Sequence, residues 1–318
     1  MTILPRRAVL LSLTPLLAFG CAGRRQAREA GAPAQRFAAT LDGAEEAVDG
    51  LITRMDGFER QAAAEEEAVA FATGGGGRGR GAGLASRFTP SPAGAADAAG
   101  RVLDAAFAAL EDYSEVLAQA ASGQRVSDVE GLNGEALARA TDAALDALRR
   151  TGGGSVPEAE RSAGLQGIAA LADLPATLAR GGRRPTESAM VAEAQPHLAA
   201  TAALLRAAVG ARSGQGARGA IAARQSALDA SQGRLLAAVR NDTRVGPTAR
   251  YNAFRSIVQE RDDDPDENAF DALLALIAAM EQAHAALGTG GPDADAKVAA
   301  FEMAVLRLRS YNEASRRG

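Results

Sequence analysis

The chain has 318 residues, with 35 basic and 39 acidic side chains and a formal charge of −4. That balance gives no global attraction to nucleic acid, and a single cysteine allows no disulfide within the chain. There are 78 alanines, no tryptophan and 4% aromatic residues. Alanine favours helix and buries little area, so the composition predicts many closely packed helices joined along thin apolar seams.

The first twenty-one residues differ in kind from the rest. Arg6-Arg7 forms a basic start, and Ala8–Gly20 is an apolar run of thirteen residues. Crossing a bilayer takes about 20, and Ser12, Thr14 and Pro15 suit a cleaved leader better than a permanent span. The run ends at Leu17-Ala18-Phe19-Gly20-Cys21. This pattern resembles the signal peptide and lipobox of bacterial lipoproteins, with Ala18 where leucine is commoner.

The resemblance implies cleavage between Gly20 and Cys21, diacylation of the Cys21 sulfur with palmitate-like chains, and acylation of the new amino terminus. Two or more chains anchor stably where one binds only marginally. The paired Arg6-Arg7 is also compatible with twin-arginine export as well as general secretion. Ala22 in place of aspartate is similar to lipoproteins sorted to an outer membrane. The expected location is therefore the cell envelope, facing the periplasm, on the outer membrane in a two-membrane bacterium. The expected partners are a membrane, through lipid on Cys21, and a protein; nucleic acid is not expected. Residues 1–20 read as signal peptide, 21–36 as lipidated cysteine and tether, and 37–316 as a single helical-bundle domain. The mature chain of 298 residues would carry 33 basic and 39 acidic side chains.

The first helix is predicted over 37–72. Phe37, Leu41, Ala44, Val48, Leu51, Met55, Phe58 and Ala62 alternate in steps of four and three, a 3.5-residue seam. Glu65 interrupts it and Val69 resumes it. Glu65-Glu66-Glu67 reads as a solvated face. Seven glycines in Gly74–Gly83 then predict a flexible loop over 74–92.

A second helix after Pro92 carries Leu103, Phe107, Leu110, Leu117 and Ala121, with Tyr113 beside the stripe and Gly123 closing it. Ser127 and Glu130 form a capping box for a third, striped by Leu137, Leu145 and Leu148 and ended by Gly152–Gly154. Pro157 and Glu158 open a fourth, with Leu165, Ile168, Leu171 and Leu178, which Pro175 should kink or end.

From Thr186 toward Asn241 runs the longest helical stretch. Ala194, Leu198, Thr201, Leu205 and Ala208 form one stripe; Ile221, Leu228, Leu235 and Val239 form another beyond Gly210–Gly219. Periodicity alone leaves one bent helix or two open. A short helix with Tyr251, Phe254 and Val258 follows Pro247. The last two carry Phe270, Leu273, Ile277, Met280 and Leu287, then Val298, Phe301, Val305 and Leu308. The segments from Leu103 and from Leu273 resemble each other, a hint of a repeated hairpin shared with any Ala-rich helix. The fold class is all-α: an elongated antiparallel bundle of about 6–8 Ala-rich amphipathic helices with coiled-coil-like packing.

The two histidines are His197 and His284. Glu281 and His284 have the Glu-x-x-His spacing that di-iron bundles use twice, but it occurs once here, and His284 falls on the seam between Met280 and Leu287. His284 reads as a core histidine, with His284 and Glu281 the candidates for a metal if one is bound; no cofactor is expected. His197, behind Pro196 and near Glu193, reads the same way. Asp262–Glu267 lacks the glycine and glutamate of a calcium loop and reads as helix capping by Asp264, Pro265 and Glu267. Nucleophile-elbow, zinc-protease, P-loop and dinucleotide signatures are missing. The expected function is a non-enzymatic, lipid-anchored scaffold or partner-binding module. The alternatives are a bundle binding a small ligand or metal and, more remotely, a glycan-acting enzyme using paired carboxylates.

Overall fold

A computed structural model describes residues 32–73, 94–124, 126, 132–180, 185–212, 214–260 and 267–314. The leader, Gly20, Cys21, the Gly-rich segment, the capping box at Ser127 and the acidic run at Asp262 lie outside these residues. Helices make up 89% of the described residues and no strand occurs among them, so the all-α reading holds. There are nine α-helices among them, one more than the upper expectation. They are α1 (Ala32–Ala72), α2 (Ala95–Ala121), α3 (Gly134–Leu148), α4 (Glu158–Arg180), α5 (Glu187–Val209), α6 (Gly216–Asn241), α7 (Pro247–Glu260), α8 (Glu267–Leu287) and α9 (Gly291–Ala314).

The heptad seam of α1 is used in full: every residue from Phe37 to Ala62 that carries it is buried, and so is Val69. The helix starts earlier than expected, inside the segment read as tether. Pro33 sits in its first turn, where a missing N–H costs nothing, and buried Ala34 holds that turn against the core. At 41 residues, α1 is about 61 Å long.

Seven helices form a closed circuit of contacts: α1 on α2, α2 on α3, α3 on α4, α4 on α5, α5 on α8, α8 on α9, and α9 back on α1. Direction alternates around most of it. Glu59 meets Ala95 while Ile52 meets Gly100, so α1 and α2 are antiparallel. Arg161 reaches Asp142 and Asp173 reaches Gly134, which sets α3 against α4. Arg206 pairs with Glu281 and Gln195 with His284, which sets α5 against α8. An odd circuit cannot alternate throughout, and the parallel pair is α1 with α9. There Arg36 meets Glu302, Glu46 meets Arg309, and the Ala47 carbonyl accepts from Asn312. The antiparallel bundle thus has one parallel closure.

Several helix starts are completed by other helices. The Glu59 carboxylate of α1 accepts from the amides of Ala95 and Ala96, both at 2.9 Å, at the start of α2. Asp173 of α4 accepts from the Gly134 amide at 3.1 Å. These acids satisfy orphan N–H groups and meet the positive end of the helix dipole. The third helix begins at Gly134 under an Asn133 cap: Asn133 Oδ1 takes the Ala136 amide while Asp173 takes that of Gly134. Pro175 does not end α4, since Leu171, Ala172, Leu174 and Pro175 itself are buried against neighbours. The stretch from Thr186 to Asn241 is two helices. Gly210, at φ +106°, takes the left-handed conformation that stops α5.

Close approach of α4 to α5 depends on small residues. A Cβ on Gly164 would strike the Leu204 side chain, and one on Gly167 would lie 2.5 Å from the His197 carbonyl oxygen and 2.8 Å from Thr201 Oγ1. By length and composition α8 is apolar enough to cross a membrane. In the bundle its Phe270, Leu273, Ile277 and Met280 are buried, and the helix contacts α5, α9 and α1.

Gly167→Ala should cost about 1–3 kcal/mol, because the obstacle is backbone. Gly57→Ala, in the middle of α1 with nothing within 4 Å, should gain about 0.5–1 kcal/mol. Urea unfolding of both variants checks this, and a neutral Gly167→Ala would show that α4 and α5 can move apart freely.

Candidate functional site

The polar side chains gather in three places. The first is inside the bundle. His284 of α8 is fully buried, and both ring nitrogens are engaged. Gln195 Oε1 can only accept, so His284 Nδ1–H donates to it at 2.6 Å; the Tyr113 hydroxyl then donates to Nε2 at 2.8 Å. The ring packs at 5.4 Å from Tyr113 and 5.9 Å from Phe37, which in turn lies 5.6 Å from Phe301. Burial pushes the His284 pKa down to about 4 and raises that of the Tyr113 phenol. The imidazole is neutral, and both of its nitrogens are hydrogen-bonded.

Glu281, the other half of the Glu-x-x-His spacing, pairs with Arg206 at 2.6 Å. No group of three potential metal ligands occurs among the described residues. His197 is half-buried on α5, with its carbonyl against Gly167.

The second place is an acidic strip between α1 and α2. Glu111 is raised to about 8 by burial first, then by Glu45 beside it, with Asp42 and Asp112 adding to the repulsion. Asp104 and Asp49 are raised as well, by burial and then by their acidic neighbours. Glu111 Oε1 and Asp112 Oδ2 lack a donor.

The third place is a cleft of about 240 Å³ where α4, α5 and the start of α6 meet, lined by Pro157, Glu160, Arg206 and Arg212 among others. Its size lies below the usual range of ligand pockets, about 300–1,000 Å³. Arg206 is already committed to Glu281. Of the acidic triplet in α1, Glu66 is not simply solvated: it pairs with Arg224 of α6 at 3.4 Å, both half-buried.

The sequence placed His284 on a seam and Tyr113 beside one, but gave no sign that they meet. Gln195 and the capping acids Glu59 and Asp173 were not singled out, and only their helical phase toward a neighbour could have marked them. Comparison with family models, with curated proteins and with solved structures returns no match.

Tyr113→Phe leaves the buried Nε2 without its donor and should cost about 1–3 kcal/mol, read by chemical unfolding at pH 7; a loss below about 0.5 kcal/mol would mean the ring finds another donor. Glu111 binds its proton more tightly folded (about 8) than unfolded (4.5). Its contribution to stability is therefore present below pH 4.5 and is lost as the pH rises through 8. Buried His284 acts oppositely: stability falls as the pH drops from 6.5 toward 4, because the unfolded chain takes up that proton first. Glu111→Gln should then melt higher than the parent by a margin that widens from pH 5 to pH 8. A margin independent of pH in thermal scans would show that Glu111 titrates normally.

Proposed function

We propose that this chain is a non-enzymatic, lipid-anchored protein of the cell envelope whose helical bundle serves as a scaffold for a protein partner. The observation that carries the reading is Leu17-Ala18-Phe19-Gly20-Cys21 behind Arg6-Arg7 and a thirteen-residue apolar run. Cys21 becomes the mature amino terminus and its acyl chains hold the bilayer. Helix α1 starts eleven positions later, so the bundle stands close to its anchor.

A scaffold is supported over an enzyme by how the interior polar groups are used. His284 is held by Tyr113 and Gln195, Glu281 by Arg206, and Arg161 by Asp142 and Asp146. Each is spent on joining one helix to another. Arg206 also lines the cleft of about 240 Å³, which is smaller than the usual ligand pocket.

Expression of the whole chain in a bacterium fed labelled palmitate tests the anchor. The parent should carry label, fractionate with membranes and lack residues 1–20 by mass. Cys21→Ser should lose label and membrane retention while keeping its helical circular dichroism. An unlabelled parent that still carries residues 1–20 overturns the reading.

A further inference from the structure

Helix α7 differs from α1, α2, α5, α8 and α9 in how its apolar stripe is placed. Tyr251, Phe254 and Val258 fall at i, i+3 and i+7, on one face. They are 60%, 55% and 47% exposed, whereas the stripes of α1, α2, α5, α8 and α9 are buried. Ile257 is buried and fixes the side on which α7 packs against α6. The sequence placed Tyr251, Phe254 and Val258 on a short helix after Pro247; among the described residues that helix packs chiefly on α6, and these three side chains stay exposed.

The hairpin is also basic in an acidic chain. Residues 231–260 hold Arg234, Arg240, Arg244, Arg250 and Arg255 against Asp242 and Glu260, while the whole chain is −4. Arg244 pairs with Asp242, and Arg250 donates to the Asp242 carbonyl. Arg234, Arg240 and Arg255 are exposed and make no ion pair among the described residues. Around the helix, Arg255 stands directly beside the Tyr251–Val258 stripe.

Position sets the hairpin apart from the bundle core. Arg218 of α6 pairs with Glu267 and Asp271 at the start of α8, and Arg224 with Glu66 of α1. Glu66 lies about 50 Å along α1 from Ala32, at 1.5 Å per residue. The hairpin therefore leaves the bundle at the end remote from the α1 amino terminus.

We propose that the α6–α7 hairpin docks on an anionic phospholipid surface. Tyr251, Phe254 and Val258 enter the boundary between headgroups and acyl chains, and Arg240 and Arg255 meet lipid phosphates. An aromatic and aliphatic stripe flanked by arginines is the composition that lies in a membrane interface. A second copy fits less well, because two such hairpins face to face bring arginine to arginine. The inference takes from the preceding reading only that the chain lives beside a bilayer; it does not use Cys21.

The chain has no tryptophan, so Phe254→Trp creates a single reporter at an exposed position. The test uses the whole chain with Cys21→Ser, so that acylation plays no part. Added to vesicles of phosphatidylglycerol and phosphatidylcholine, the reporter should shift to the blue and be quenched by brominated lipid. Both effects should fall at least fivefold in pure phosphatidylcholine, in 0.5 M salt, where screening shortens to about 4 Å, and with Arg240→Glu/Arg255→Glu. Met303→Trp, on the exposed side of α9, should stay unquenched. Three results overturn the proposal: an unchanged spectrum with anionic vesicles, equal quenching in both lipids, or the same shift without lipid as protein concentration rises. The last would assign the face to a second copy. Because the variant lacks Cys21, failure here leaves the lipid-anchor reading untouched, and failure of palmitate labelling leaves this one untouched.

Discussion

Four helices meet at the ring of His284, and a fifth packs behind them. Tyr113 comes from α2, Gln195 from α5 and the histidine itself from α8; Phe37 of α1 lies against the ring, and Phe301 of α9 lies against Phe37. The rest of the core is alanine and branched aliphatic side chains, which hold helices together without saying which neighbour belongs where. Two directional bonds to a buried histidine do say it. A slip of α8 by one turn would leave the buried His284 ring and the buried Tyr113 hydroxyl without partners, each at a cost of about 1–3 kcal/mol. The neutral, singly protonated state of the imidazole is what makes the arrangement complete, because one nitrogen must give and the other must receive.

Alanine sets the second constraint. A thin seam lets backbones approach, as Gly164 and Gly167 do against α5, but adds little apolar area per residue. The structure compensates with polar links between helices at the margins. Glu59 and Asp173 close the amino-terminal ends of α2 and α3, and Arg161 joins two acids of α3 to α4. Exposed pairs such as Arg36 with Asp295 contribute little individually. The half-buried contacts that also satisfy helix ends contribute more, because the alternative is an unsatisfied N–H group.

The helices and their inward faces were legible in the sequence wherever the period was long and regular. Phe37 to Ala62, Phe270 to Leu287 and Val298 to Leu308 all lie inside as their spacing requires. What periodicity could not supply was partnership. It ranks faces as apolar or polar and carries no information on which face meets which, so the circuit, its parallel closure and the His284 node stayed hidden. It also treats every apolar stripe as destined for the interior. Tyr251, Phe254 and Val258 satisfy the same rule as Leu103, Phe107 and Leu110, yet one set faces water and the other is enclosed. The difference lies in neighbours supplied by distant parts of the chain. Capping is only partly local for a related reason: Asn133 caps α3 from the position before its first turn, but the acid that takes the Gly134 amide, Asp173, comes from another helix.

The parallel closure of α1 with α9 also has a mechanical side. A pull applied between the amino-terminal end of α1 and the α6–α7 hairpin runs along the α1 axis, since Arg224 grips Glu66 near its far end. The load passes along α1 and through the Arg224–Glu66 pair, while Arg36–Glu302 and Glu46–Arg309 resist any slide of α1 past its parallel neighbour α9, with several contacts strained together rather than parted one by one. Tension in that direction would be borne in shear, and the longest helix would act as a stiff spar.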